Sequence, residues 1–109
     1  MEIIYAGAAF DELYRLPLTE RKAIANAIEK LRMLGDELGF PHTSHIQGTS
    51  LRELRPRRGR SPWRAFYRRV GDAMVIAAIG PESQHDSRGF ERAVRVATDR
   101  LDQIERDNA

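Results

Sequence analysis

The chain has 109 residues, about the size of one ordinary domain, and no cysteine, which excludes disulfides and thiolate metal sites. Apolar residues make up 41% and charged residues 31% with a net charge of +2, a balance that excludes the disordered class and fits one compact core. The longest apolar run, Ala73 to Ile79, is too short to cross a bilayer, and no apolar leader follows Glu2, so a cytoplasmic protein without membrane attachment is expected.

Glu2 to Ala6 carries β-branched and aromatic residues closed by Gly7, the pattern of a short strand. Phe10, Leu13 and Leu16 have helical spacing within Ala8–Leu16, and Pro17 stops that helix. Thr19 is the expected N-cap of a second helix, with Glu20 in its first turn, Ile24, Ile28 and Leu31 on one face and Gly35 beyond its end. The two helices form a hairpin with one apolar side. Gly39 to Ser50 reads as a loop, Leu51 to Pro56 as a strand, and Arg57 to Pro62 as an exposed basic loop. Trp63–Val70 and Ala73–Ile79 are strands joined by a Gly71-Asp72 turn, and the wholly apolar second strand should be central in the sheet. Ser87 is placed to cap a last helix, in which Phe90, Val94, Ala97, Leu101 and Ile104 make a single stripe. The expectation is one domain over 1–109 of class α+β: an N-terminal strand, a helical hairpin, a three-stranded antiparallel meander and a C-terminal helix.

Charge is unevenly distributed along this order. Arg52 to Arg69 holds eight arginines and one acid, Glu53, for +7, leaving −5 on the rest of the chain. Such a concentration produces a local positive field, the footprint of a surface for polyanions, although an acidic protein partner would also answer to it. Sixteen of the 18 basic residues are arginine, whose planar fork suits phosphate and base edges. Strand alternation would place Glu53, Arg55 and Arg57 on one face, and Arg64, Phe66 and Arg68 on one face of the next strand. Trp63 and Phe66 are read as core rather than as stacking platforms. His42 and His45 have a ligand-like H-x-x-H spacing but no third ligand near in sequence, so they are read as polar loop residues and no metal or other cofactor is expected.

A strand with E-L-R (Glu53–Arg55), a basic glycine-containing loop, a strand with R-x-x-Y (Arg64–Tyr67) and an apolar strand after a Gly-Asp turn resemble, in this order, the RelE/HigB-like toxins of type II toxin–antitoxin systems. The L-G-x-P element at Leu38–Pro41 and G-x-x-L-R-E-L-R from Gly48 are similar to the phage-derived HigB-like branch. The resemblance implies a RelE-like fold, ribosome-dependent cleavage of mRNA, and a cognate antitoxin, expected to be of the helix-turn-helix type, that covers the active face. By the same resemblance, Arg64 holds the scissile phosphate, Tyr67 supports or takes part in catalysis, and Arg55 and Arg57 contact RNA; the concentration of charge adds Arg58, Arg60 and Arg68 to the expected RNA contacts. Removal of Arg64 would then spare stability, because a cation among like charges adds little to folding. The chemistry implied is attack of a ribose 2′-hydroxyl on the adjacent phosphate, without a metal.

The chain departs from the resemblance after the last strand. Family members often carry lysines, arginines or a His-Tyr pair there, whereas Gly80–Ser87 reads G-P-E-S-Q-H-D-S, and Phe90 stands where a family tyrosine is expected. His85 becomes the candidate acid or base, with an exposed loop histidine as the alternative. Two rival functions remain open. One is a ParE-like toxin that binds gyrase and cleaves nothing, and the other is a non-catalytic module that binds nucleic acid on its basic sheet.

Overall fold

The apolar segment from Ala73 sets the architecture, because every residue from Ala73 to Gly80 is buried in the computed structural model, which describes residues 1–108. This is β5 (Ala73–Pro81), the second of five strands in a sheet ordered β1-β5-β4-β3-β2. β1 (Glu2–Tyr5) runs parallel along one side of it, and β4 (Trp63–Val70) runs antiparallel along the other. β3 (Arg52–Leu54) and β2 (Thr43–His45) complete the sheet, both antiparallel to their neighbours. The expected central position of this strand and the antiparallel meander are both present, in a mixed α+β sheet with three helices.

Each face of the sheet has its own cover. Helices α1 (Ala9–Tyr14) and α2 (Leu18–Leu34) bury Ala9, Leu13, Ile24, Ala27, Ile28 and Leu31 against Leu54, Ala65, Tyr67, Met74, Ile76 and Ile79. On the opposite face α3 (Ser87–Asp107) buries Ala93, Ala97 and Leu101 against Leu51, Phe66, Val75, Ala77 and Ala78. A break in the β4–β5 register at Phe66/Tyr67 sends both Ala77 and Ala78 to the α3 side. Small side chains there, and none at Gly80, let the helix come close: a Cβ on Gly80 would lie 2.5 Å from that of Ala93. No helix among the described residues is long and apolar enough to cross a membrane.

Several local expectations are corrected. Pro17, not Thr19, is the N-cap of α2, since the fixed φ of proline allows the helix to begin two residues earlier. Asp86, not Ser87, caps α3, its carboxylate accepting from the Gly89 N–H at 3.0 Å. The loop from Gly39 contains β2, a three-residue strand that alternation cannot reveal at this length. The strand expected over Leu51–Pro56 is only Arg52–Leu54, because the chain turns sharply at Pro56.

β5 runs past the end of β1, so its outer edge lacks a strand partner beyond Ile76. Glu12 of α1 accepts the Ile79 N–H at 3.1 Å, and Arg100 of α3 donates to the Ala77 carbonyl at 2.9 Å. The two side chains also pair with each other, Nη2 to Oε2 at 2.7 Å. One ion pair therefore completes the hydrogen bonding of an edge and ties a helix from each face to it. Glu12→Ala should destabilise the protein by about 2–3 kcal/mol in urea unfolding, since it strands both a backbone N–H and a guanidinium. The Arg100→Ala and Glu12→Ala losses should not add in the double variant, and fully additive losses would show that the pair is not a unit.

Candidate nucleic-acid interface

After Leu54 the basic segment makes a strained reversal. Pro56–Gly59 forms a short 3-10 turn in which Arg57 (φ 54°) and Arg58 (φ 58°) both occupy the left-handed region, followed by Gly59 (φ 91°). Two such non-glycine residues cost on the order of 1–2 kcal/mol each, so the surrounding structure must hold them there.

Arg64 is the main restraint. It is 3% exposed, and its guanidinium is turned into the base of the loop rather than out to solvent. Nη1 donates to the carbonyls of Ser61 (2.6 Å) and Trp63 (3.0 Å), Nη2 to that of Gly59 (3.3 Å), and Nε to Glu53 Oε1 (3.3 Å). Burial pushes its pKa below the ordinary arginine value, while the Glu53 carboxylate pulls it back up. It stays charged, as arginine does in proteins. The other restraint comes from α2, where Glu20 accepts from Ser61 Oγ at 2.6 Å and from Arg57 Nη1 at 2.7 Å. Those two contacts, Ser61 first, hold the Glu20 carboxyl below its usual range.

The clamp sorts the arginines into two groups. Arg57 lies back on α2, so it leaves the row with Glu53 and Arg55 that strand alternation predicts; the chain has already turned at Pro56. Arg68 reaches Ser50 Oγ at 2.8 Å and pairs with Glu105 of α3. Arg58 and Arg60 are exposed at the tip; Arg60 Nε donates to the Arg57 carbonyl, and Arg58 has no side-chain partner among the described residues. Arg55 is half-buried, donates to the Pro41 carbonyl at 3.3 Å and lies 4.8 Å over the ring of Phe40. Phe40 is 76% exposed, an aromatic surface beside the arginine loop that the sequence reading passed over. Its only signal was an aromatic residue in a loop with no periodic partner.

The three candidate catalytic residues occupy three different places. Tyr67 faces α2, on the opposite side of the sheet from Arg64, and its hydroxyl bonds Thr43 Oγ1 at 2.6 Å in the core. His85 is exposed in the turn after β5 and lines a groove of about 490 Å³ with Trp63, Pro81, Asp86 and Arg92. Arg64 is not part of that groove. Phe66 is core as expected, its ring meeting Phe90 edge-on at 5.5 Å, and Trp63 is half-buried against the α2-side cluster. His42 and His45 do not act together, since His45 Nε2 contacts the Thr49 carbonyl while His42 lines a groove beside α2.

Residues 11–81, from α1 to the end of β5, match the Gp49-like phage-derived proteins. The chain belongs to this family. Its members are toxins of toxin–antitoxin systems, so an antitoxin partner is implied for this Gp49-like chain. No curated protein matches it. The matched segment contains the clamp and both tip arginines and stops short of His85.

The geometry reverses one expectation about stability in this Gp49-like chain. Arg64→Ala should cost about 3 kcal/mol in denaturant unfolding, because it leaves the buried Glu53 contact and three loop carbonyls without their donor. A change under about 0.5 kcal/mol would mean that the loop does not need its brace. Glu20 gives a separate test. Its pKa is lowered on folding, so the stability it adds is complete above the ordinary carboxylate pKa of 4.5 and disappears as pH falls through the lowered value. Glu20→Gln should therefore reduce the loss of stability between about pH 6 and pH 3, measured by urea midpoints.

Proposed function

We propose that this chain is a RelE/HigB-type toxin that works in the cytoplasm, engages mRNA on the ribosome through the loop at residues 55–60, and cleaves it. The observation that supports this reading most is the strained, doubly clamped turn, which holds Arg58 and Arg60 outward beside Arg55 and the exposed Phe40 ring. Strain of this size, maintained by a buried arginine and by the Glu20 carboxylate, is more than a solvated loop requires. Exposed guanidinium groups meet phosphates, and a ring beside them offers one face to an unstacked base.

In this reading the tip arginines make the outer phosphate contacts, and Arg64 is both a positioning residue for the loop and a source of positive field. One N–H of its Nη2 has no partner among the described residues, so a direct phosphate contact requires the buried side chain to move outward. The 2′-oxygen forms a bond to phosphorus as the bond from phosphorus to the 5′-oxygen breaks. A base takes the 2′-hydroxyl proton and an acid delivers one to the departing oxygen, leaving a cyclic phosphate and a 5′-hydroxyl end. His85 is the proposed proton-transfer group, with Arg92 and Trp63 beside it in the same groove. An antitoxin of helix-turn-helix type is the proposed partner.

One observation favours a second reading. Arg64, Tyr67 and His85 are separated by the sheet and its edge, an arrangement that suits a ParE-like toxin acting on gyrase by binding alone. Inducible expression followed by mapping of RNA 5′ ends discriminates between them: new 5′-hydroxyl ends support cleavage, and growth arrest with intact RNA and altered DNA supercoiling supports the gyrase reading. For binding, Arg58→Ala with Arg60→Ala should lower the slope of log affinity against log salt by about 1.4, two phosphate contacts on single-stranded RNA. An unchanged slope would remove the loop tip from the RNA site.

A further inference from the structure

Both lysines of this arginine-dominated chain lie on one groove. Lys22 and Lys30 stand at i and i+8 on α2 with Asn26 between them, a single line about 12 Å long. The groove, of about 430 Å³, separates α2 from β3 and the turn that follows. Its floor is aliphatic, made by Leu18, Ala23, Ala27, Leu38, Leu54 and Pro56. Arg55 and Arg57 stand on the rim across from the lysines, and no carboxylate lines it. Glu20 lies near one end, already engaged by Arg57 and Ser61. Neither lysine takes part in an ion pair among the described residues.

We infer that this groove docks an acidic amphipathic helix of another polypeptide, its apolar side chains on the floor and its carboxylates between the lysine and arginine rims. Charge complementarity fixes the sign of the partner, and the floor fixes its class. RNA would find cations here and a single ring, His42, while Leu18, Ala23, Ala27, Leu38, Leu54 and Pro56 offer a base nothing to stack on. A helix with leucine-like residues at i, i+3/i+4 and i+7 fills such a trough while its flanking acids meet the rims. Lysine stems lie along apolar surface with the ammonium free to move, which suits a rim that must accept a helix rather than grip one phosphate. The inference rests on the toxin reading only for the source of the partner, which would be the antitoxin; the chemistry of the groove does not depend on it.

The test uses the purified full chain and a fluorescein-labelled helical peptide of about 15 residues, with leucines on one face flanked by glutamates. Lys22→Glu with Lys30→Glu should weaken binding about tenfold or more, with the fold verified by circular dichroism, and the same peptide with Gln for Glu should lose a similar factor. Arg88→Glu with Arg95→Glu changes net charge equally on α3, across the sheet from the groove, and should leave peptide binding within about twofold. Equal losses in the two double variants, or a single-stranded uridine oligonucleotide that displaces the peptide and itself loses binding on Lys22→Glu/Lys30→Glu, would overturn the assignment. Growth arrest by the unaltered chain is scored separately. Its absence would remove the toxin reading while the peptide result stood.

Discussion

A strand buried on both faces must have every backbone group paired, and β5 outruns its neighbour on one side. The Glu12–Arg100 pair supplies the missing partners at Ile79 and Ala77, and the arrangement of the rest follows from that need. α1 must end close enough to β5 for Glu12 to reach it, so the hairpin lies over the face where Ile76 and Ile79 point. α3 must cross the opposite face at a height set by Arg100, which brings Ala93 and Ala97 onto Ala77, Ala78 and Gly80. Small residues at those positions are the consequence of the close crossing. Any larger side chain would lift the helix and pull Arg100 from the carbonyl it serves.

Positive charge is used in two opposite ways in the basic segment. A guanidinium has five donors and no acceptor, so one that is surrounded by carbonyls can be buried at tolerable cost, and Arg64 is held this way. The energy of those contacts maintains the left-handed turn at Arg57 and Arg58, which in turn keeps Arg58 and Arg60 from folding back onto the sheet. Repulsion among the arginines alone would not give that result, since Arg57 finds Glu20 and Arg68 finds Glu105. The outward charge of two residues thus depends on the inward burial of a third.

The elements with strong periodicity were legible in the sequence. Ala73–Ile79 announces a buried strand because nothing polar interrupts it, and Phe90, Val94, Ala97, Leu101 and Ile104 announce the inner face of α3 by their spacing. The site was less so, for a geometric reason. Alternation assigns Arg57 to the face of Arg55 only if the strand continues through Pro56, and nothing local to R-P-R-R-G says that two arginines will adopt positive φ. The restraint that makes them do so comes from Arg64 and from Glu20, 37 residues upstream of Arg57. Likewise Thr43, far from Tyr67 in sequence, turns a residue read as a catalytic candidate into one whose hydroxyl is bonded in the core. Roles fixed by long-range partners are invisible to a reading that moves along the chain.

The sheet itself divides the surfaces on which the proposed function depends. Groups on β4 alternate between the α2 side and the α3 side, so Tyr67 cannot join Arg64 without breaking the alternation that buries both Ala65 and Phe66. The loop after Leu54 lies beyond the end of that partition, which makes it a place where residues from both faces meet: Arg64 from the α3 side, Glu20 from α2, and Arg55 with Phe40 from the neighbouring turn. A ligand long enough to contact the tip arginines therefore meets the α2 groove on one flank, through Arg55 and Arg57, which belong to its rim. A helix seated in that groove would engage the same two arginines that border the proposed RNA path. On the proposed reading, neutralisation by a partner needs no blockage of His85, which lines a separate groove with Trp63 and Arg92, because competition for the shared rim is enough.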